Sequence, residues 1–234
     1  MSEPRAPIED FEDHVEDVDS YSALARIAMA LPPVERAYAL ARFTILRSKL
    51  LTLMSLMLPE EGRILDVGCG FGLFSGYFSL VGSRRRITGV DPNARRVEMA
   101  RNVARSLGLK DNRYLVGTVG TVPLTGPYDG IFMLDVLHHV PRESQLELLE
   151  TLKNLLAPSG VLIIKDITTD SPFKLKFTEL LDRVMAGWDG PLAYRHHREW
   201  ASILRGMGFK VRIVRVPDIL PYPHIVIVAR FKDD

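Results

Sequence analysis

A carboxylate and three alternating glycines follow a short apolar run in the stretch RILDVGCGFG, residues 63–72. Asp66 falls near the end of the run, and the glycines are Gly68, Gly70 and Gly72. Glycines remove Cβ atoms where a ligand must lie against the backbone, and they permit positive φ. A strand, a glycine turn and a helix in succession bring the backbone of a doubly wound α/β fold close to a ligand. The stretch therefore predicts a ligand-binding loop, with a purely structural turn as the alternative.

A second carboxylate ends the next apolar run. Asp91 closes the run Ile87–Val90 and lies 19 positions after Gly72. That distance is close to the roughly 20 residues that place a carboxylate on ribose hydroxyls, and a carboxylate can accept from both hydroxyls at once. The glycine spacing does not fit a dinucleotide fingerprint, because Leu73 stands where its third glycine would fall.

The two motifs together closely resemble those of class I S-adenosylmethionine (SAM)-dependent methyltransferases. The resemblance covers roughly residues 60–231 and is strongest over residues 63–140. It implies that SAM is the cofactor and S-adenosylhomocysteine the product. It also implies a Rossmann-like, doubly wound α/β fold: a seven-stranded sheet that is mostly parallel, with an antiparallel last strand and an N-terminal helical cover.

The resemblance further implies which residues contact the cofactor. The methionine end would be lined largely by backbone groups of the glycine stretch and by residues after the fourth strand, the ribose by Asp91, and the adenine by residues after the second and third strands. Members of the family often place an acid on the adenine amino group, and here Thr118 or a backbone group takes that position. The expected cofactor contacts are Asp66, Gly68, Cys69, Gly70, Asp91, Pro92, Asn93, Thr118, Val119, Leu134 and Asp135.

Three residues are candidates for a general base. His138 and His139 follow the fourth strand and Asp166 ends the fifth, and the carboxyl ends of strands border the ligand crevice of such sheets. Histidine titrates near neutral pH, as a base requires. The alternatives are that the histidines orient the loop or cap a helix, and that Asp166 forms a surface ion pair. Cys69 is expected to pack in the turn, and no metal site is expected.

These features predict transfer of a methyl group from SAM to a small-molecule acceptor, at oxygen, nitrogen or carbon, by in-line displacement. No nucleic-acid partner is expected, because the net charge is +1 and the Asn/Asp-Pro-Pro-aromatic motif of base-directed enzymes is absent. The apolar cover and the segment Phe173–Trp188 favour an aromatic or lipid-like substrate. Two alternatives stay open: a catalytically silent SAM-binding or scaffold protein, and a nucleotide-dependent oxidoreductase.

The elements that must position these residues follow from the hydrophobic periodicity. The acid-rich residues 1–20 are expected to form a solvated tail or a flap, and residues 21–58 a helical cover that Pro32-Pro33 interrupts. Residues 59–234 are expected to form one methyltransferase domain. The strands are predicted at 63–67, 86–90, 113–117, 129–134, 161–165, 209–216 and 224–231, and the helices at 73–81, 93–107, 142–157, 172–187 and 197–207.

Composition and hydropathy indicate where in the cell the protein is expected. A single cysteine favours a reducing cytosol. The most apolar segment, Leu50–Leu58, is too short to span a bilayer, and no secretory signal is evident, so a cytoplasmic location is expected. The cluster Arg84-Arg85-Arg86 is expected to form a solvated turn rather than a nucleic-acid site.

Overall fold

The computed structural model describes residues 8–10, 18–82, 84–169, 179, 192–215 and 224–232. From residue 61 to residue 116 the elements in these ranges alternate between strand and helix, as the periodicity predicts. In chain order they are β1 (Ile8–Asp10), α1 (Val18–Met29), α2 (Pro33–Leu46), α3 (Ser48–Met57), β2 (Glu61–Val67), α4 (Leu73–Val81), β3 (Arg84–Asp91), α5 (Ala94–Leu107), β4 (Arg113–Val116), β5 (Tyr128–Leu134), a 3₁₀ turn (Leu137–His139), α6 (Gln145–Leu155), β6 (Leu156–Ile167), α7 (His197–Gly206), β7 (Phe209–Arg215) and β8 (His224–Phe231).

The seven predicted strands are all present, with small shifts at their ends. The largest difference is at β6, which begins at Leu156 rather than at residue 161. The sequence pattern predicted that β6 begins only after Pro158. Proline lacks an N–H but is tolerated near the start of a strand, so β6 can include it. The predicted helix over residues 172–187 lies outside the described residues apart from Glu179.

The first compact unit contains residues 14–132 and 151–161. Its strands follow the order β6-β5-β2-β3-β4. β2 and β3 are parallel with Asp66 opposite Gly89, and β3 and β4 are parallel with Asp91 opposite Val116. Parallel pairing brings the carboxyl ends of these three strands to one edge, where the predicted ligand loop begins.

The predicted helical cover belongs to this first unit. A buried cluster of hydroxyl groups links α1, α3 and α4: the Ser20 hydroxyl lies 2.8 Å from that of Thr52 and 2.5 Å from that of Tyr77. Between α2 and α3 the chain turns at Arg47, whose φ is 50°. The predicted interruption at Pro32-Pro33 separates α1 from α2, because proline is accepted in the first turn of a helix but not in its interior.

The prediction for the arginine cluster before the second predicted strand is wrong at Arg85. The cluster Arg84-Arg85-Arg86 was expected to be a solvated turn, but it begins β3, and Arg85 is buried while its two neighbours are exposed. The Arg85 guanidinium donates to the carbonyls of Pro59 (2.7 Å), Ser55 (2.8 Å) and Phe78 (3.1 Å). Strand alternation turns the middle arginine inward, and these carbonyls accept hydrogen bonds from its guanidinium.

The second compact unit contains residues 1–13, 133–150 and 162–234. Its strand order is β1-β7-β8-β6, and β8 is antiparallel to both β6 and β7, which confirms the predicted antiparallel last strand. β1 pairs in parallel with β7, Ile8 opposite Ile213. The predicted solvated tail therefore contributes three residues to a sheet edge, where β7 offers backbone groups for pairing. The predicted boundary after residue 58 stays a prediction. No helix within the described residues is long and apolar enough to cross a membrane.

Candidate functional site

The glycine loop, Gly68–Gly72, connects β2 to α4. All three of its glycines have a positive φ, which is 75° at Gly68. Gly72 has a φ of 71°, and a Cβ there would lie 2.9 Å from the Cβ of Ala100. Gly70 has a φ of 52°, but a Cβ there would meet nothing within 4 Å. Gly72 is thus needed for close packing against α5, whereas Gly70 leaves open space beside the backbone, as a loop that receives a ligand requires.

Two backbone amides hold the carboxylate oxygens of Asp91, one from the glycine loop and one from the residue two positions after Asp91. The amide of Gly70 donates to Oδ2 at 3.0 Å, and the amide of Asn93 donates to Oδ1 at 2.8 Å. The amides of Gly68 and Cys69 donate to the neighbouring Val90 carbonyl at 2.8 Å and 3.1 Å. Each carboxylate oxygen has a second lone pair, so Asp91 can still accept two hydroxyl protons without moving.

Asp66 lies at the end of β2 and is buried. It accepts a hydrogen bond from the hydroxyl of Ser75 in α4. The pKa of Asp66 is raised to about 7: burial is the largest cause, the hydrogen bond from Ser75 lowers the pKa in part, and the negative charge of Asp91 raises it. Near neutral pH, Asp66 is therefore poised to lose its proton when a cation is placed beside it. Ser75 carries no sequence signal for this contact, because it lies nine positions after Asp66 in the following helix.

Cys69 packs in the turn as expected. Its side chain is buried in an apolar cluster with Val97, Ala100, Ala104 and Tyr114. Burial, followed by the charges of Asp66 and Asp91, raises the pKa of the Cys69 thiol well above its usual range. A protonated, buried thiol is a poor nucleophile.

The residues expected near an adenine have local structural roles. The side chain of Asn93 caps α5 by accepting from the amide of Arg96 at 3.0 Å. Thr118 is exposed in a turn with Thr121, and Val119 is buried. The preceding residue, Gly117, donates to the Asp91 carbonyl at 3.0 Å, so this turn adjoins the end of β3. The cofactor roles of Pro92, Asn93, Thr118 and Val119 stay predictions.

Asp135 follows β5 and has a neighbour that the sequence analysis missed. The Lys165 ammonium donates to the Asp135 carboxylate, and both side chains are buried. The Asp135 amide also donates to the Lys165 carbonyl at 3.0 Å, and Asp135 has a φ of 55°. A non-glycine residue in this region is strained by about 1–3 kcal/mol, and the two contacts with Lys165 hold it there. Leu134 is buried just before it, and the cofactor roles of Leu134 and Asp135 stay predictions.

His138 and Asp166 form a buried pair. The Nδ1 atom of His138 lies 2.5 Å from Oδ1 of Asp166, and each residue is 1% exposed. The Ile167 amide donates to the same carboxylate oxygen at 2.8 Å. Because the carboxylate only accepts, Nδ1 carries the proton, and Nε2 is the basic atom of the neutral ring. The surface ion pair considered for Asp166 is wrong, since Asp166 is inside.

The other histidines are distributed differently. The His139 ring lies 4.2 Å from that of His138 and is partly exposed. His196 caps α7 through Nδ1, which accepts from the amide of Arg198 at 3.2 Å. His197 is buried, with its Nδ1 2.9 Å from the Thr168 hydroxyl. Among the residues that the structure describes, no group of three histidine, cysteine or acidic side chains is arranged to hold a metal ion.

A family model described as a methyltransferase domain matches residues 38–213, more than half of the chain. The chain belongs to the methyltransferase domain family. This membership confirms the resemblance to class I methyltransferases and the expected Rossmann-like fold.

Curated relatives carry a more specific name. A ubiquinone biosynthesis O-methyltransferase from Caulobacter sp. (strain K31) is 33% identical over 116 residues, which are 45% of this chain and 41% of that protein. The protein of the same name from Xanthomonas axonopodis pv. citri (strain 306) is 25% identical over 222 residues, 86% of this chain and 83% of that protein. Over three such relatives, including the first, the matched part is only 32% to 48% of the relative's length.

A solved structure supports the fold. A crystal structure of a SAM-dependent methyltransferase from Aquifex aeolicus superposes with a TM-score of 0.61 at 23% identity, covering 88% of this chain and 97% of that one. At this identity the likeness establishes the fold alone.

Proposed function

We propose that this protein is a SAM-dependent methyltransferase that acts on a hydroxyl oxygen of a small molecule, with His138 as the general base. Membership of the methyltransferase domain family supports the reaction class. The observation that carries the choice of base is the 2.5 Å contact between Nδ1 of His138 and the Asp166 carboxylate. His139 and Asp166, the other two candidates, have a neighbouring and an orienting role in this proposal.

The glycine loop and the two acids beside it fit SAM. The open side of Gly70 suits close approach of a ligand to the backbone. Asp91 has an acceptor position left on each oxygen for the two ribose hydroxyls. Asp66 is buried and ionises near neutral pH, so it can balance the ammonium group of the methionine end. When bound, SAM supplies a methyl group already activated by its sulfonium sulfur, and transfer leaves S-adenosylhomocysteine.

The histidine pair supplies what an oxygen acceptor needs. A phenolic hydroxyl has a pKa near 10, so at neutral pH its proton must be removed for the oxygen to become a good nucleophile. His138 accepts that proton at Nε2, and the ring becomes a cation beside the Asp166 carboxylate. Asp166 holds Nδ1 and stabilises this cation, which is the role of a carboxylate behind a catalytic histidine.

The proposal also specifies the acceptor, a hydroxyl group on an aromatic or lipid-like molecule. The relatives are named O-methyltransferases, and a buried histidine–carboxylate pair suits a hydroxyl, whose proton must be removed, better than an already nucleophilic amine. The apolar residues predicted to border the substrate favour an aromatic or lipid-like molecule. A cytoplasmic location, suggested by the single cysteine, is likewise a proposal.

The test is transfer of radiolabelled methyl from SAM to catechol and to 4-dodecylcatechol, which share one acceptor group and differ in their lipid-like tail. We expect labelled product with at least one of them, and a loss of about 10²–10⁴-fold in kcat for His138→Gln. Undiminished transfer by His138→Gln would exclude this base. Binding of S-adenosylhomocysteine without transfer to these or to amine and carbon acceptors would instead favour the silent SAM-binding alternative.

A further inference from the structure

A short segment before α7, Ala193–Arg195, packs directly on the turn that carries His138. We refer to these three residues as the strap. The amide of Ala193 donates to the His138 carbonyl at 2.7 Å. The Tyr194 ring stacks on the His138 imidazole, with ring centroids 5.0 Å apart and planes inclined by 21°. One side of the imidazole is therefore covered by an aromatic ring from a distant part of the sequence.

Gln145 fastens the strap to this turn. It is the first residue of α6 and is fully buried. Its amide nitrogen lies 3.1 Å from the carbonyls of Leu137 and Val140, on either side of the histidines, and 2.9 Å from the carbonyl of Ala193. Its side-chain oxygen accepts from Nε of Arg195 at 2.7 Å. One side chain thus joins the histidine turn to both ends of the strap.

The far end of the strap is anchored on α7. The Arg195 guanidinium pairs with the Glu199 carboxylate and lies over the Trp200 ring, 5.2 Å from its centroid. Trp200 is buried and Arg142 adds a second ion pair to Glu199 at 2.9 Å. The strap is therefore fixed at Ala193 and at Arg195, and Tyr194 between them has little freedom to leave the imidazole.

We propose that Tyr194 is a positioning residue for His138, held against the imidazole by Gln145. Asp166 fixes one nitrogen of the ring, but a single hydrogen bond leaves the ring free to tilt about it. The stacked Tyr194 ring removes that freedom, so the Nδ1 contact with Asp166 persists and Nε2 keeps one direction. The catalytic importance of this positioning rests on the proposed function of His138, whereas the positioning itself does not.

The direct test is nuclear magnetic resonance of the full chain labelled with ¹⁵N-histidine, with the His138 signals assigned from their loss in His138→Gln. In the wild type, at a pH where the ring is neutral, we expect Nδ1 to be protonated and Nε2 to be unprotonated. Tyr194→Phe, which keeps the ring, should retain this pattern. Tyr194→Leu removes the ring, and Gln145→Glu removes the hydrogen bonds that the Gln145 amide donates. Either change should shift both ¹⁵N signals toward an average of the two tautomers.

Leu146→Ala is the matched control, because Leu146 follows Gln145 on the same helix and is 44% exposed. It should keep the wild-type pattern. With catechol or 4-dodecylcatechol as acceptor, Tyr194→Leu should lower kcat about 10-fold to 100-fold with little change in the KM for SAM, as expected for a misplaced catalytic group. Tyr194→Phe should recover most of that loss.

Two results would overturn the positioning role: an unchanged His138 signature in Tyr194→Leu, or a Tyr194→Phe variant as impaired as Tyr194→Leu. A shifted signature in Tyr194→Leu, combined with full activity of His138→Gln, would uphold the positioning role and overturn only the base.

Discussion

The Nδ1 atom of His138 lies 2.5 Å from Oδ1 of Asp166, although the two residues are 28 positions apart in the chain. His138 stands in the 3₁₀ turn after β5 and Asp166 is near the end of β6, so the contact depends on tertiary structure. In the sequence these residues are rival candidates for one role. In the structure they contact each other, and in the proposed function they become a base and the carboxylate that orients it.

Exchange of Asp166 for asparagine tests this pairing. Asp166→Asn keeps the shape of the side chain but removes the negative charge that stabilises the His138 cation, so kcat should fall by at least about 10²-fold while binding of S-adenosylhomocysteine is kept. Kinetics and calorimetry on the same preparation separate the two effects. His139→Gln, which changes the adjacent ring instead, should lose far less. Similar losses in both variants would contradict a specific His138–Asp166 pair.

Asp91→Ala should weaken binding of S-adenosylhomocysteine. The change removes the proposed ribose acceptor and leaves the amides of Gly70 and Asn93 without their carboxylate, so a loss of about 1–3 kcal/mol is expected. Isothermal titration measures this directly. Asp111→Ala is a suitable control because Asp111 is exposed. Equal affinity in wild type and Asp91→Ala would remove Asp91 from the cofactor site.

Asp66 should make the protein less stable as pH rises. Its pKa is raised from 3.8 to about 7 in the folded protein, so between about pH 4 and pH 7 the folded state binds more protons than the unfolded state. Stability then falls with rising pH through that window, by an amount on the order of 4 kcal/mol at most. Asp66→Asn, which cannot ionise, should therefore stabilise the protein at pH 8 and not at pH 4.

Urea unfolding of both proteins at pH 4, 6 and 8 measures this difference. The other titrating groups are common to both proteins. The quantity compared is therefore the difference between their unfolding free energies at each pH. A gap in unfolding free energy that stays constant with pH would show that Asp66 ionises in its ordinary range.

Arg85 should prove structural. Arg85→Met leaves the carbonyls of Pro59, Ser55 and Phe78 without their donor, so the free energy of unfolding should drop by about 2–3 kcal/mol. Arg84→Met, at an exposed position whose ion pairs lie on the surface, should change it by less than about 1 kcal/mol. Urea unfolding of the two variants compares adjacent arginines. Equal effects would mean that the buried contacts of Arg85 contribute no more than a surface pair.

The sequence predicted the parts of the fold that depend on local pattern. Apolar runs ending in Asp66 and Asp91, with glycines that cannot be replaced without a clash or strain, indicate strand ends and a ligand loop wherever they occur. The antiparallel β8 followed from the family resemblance. The strand ends and the ligand loop could be predicted because each depends on residues close together in the chain.

The contacts that refine the site were not predictable in this way. Gln145 is an unremarkable polar residue at the start of a helix, and only the fold places it within reach of Leu137, Val140 and Ala193. The inward direction of Arg85 depends on the register of β3, which a run of three arginines does not reveal. The Lys165–Asp135 pair likewise joins residues 30 positions apart.

The most direct test of the central claim is calorimetric titration of the purified protein with S-adenosylhomocysteine, SAM and NAD. SAM-dependent methyl transfer predicts saturable binding of the first two, none of NAD, and weaker binding by Asp91→Ala. Failure to bind either SAM or its product, or preferential binding of NAD, would contradict the account.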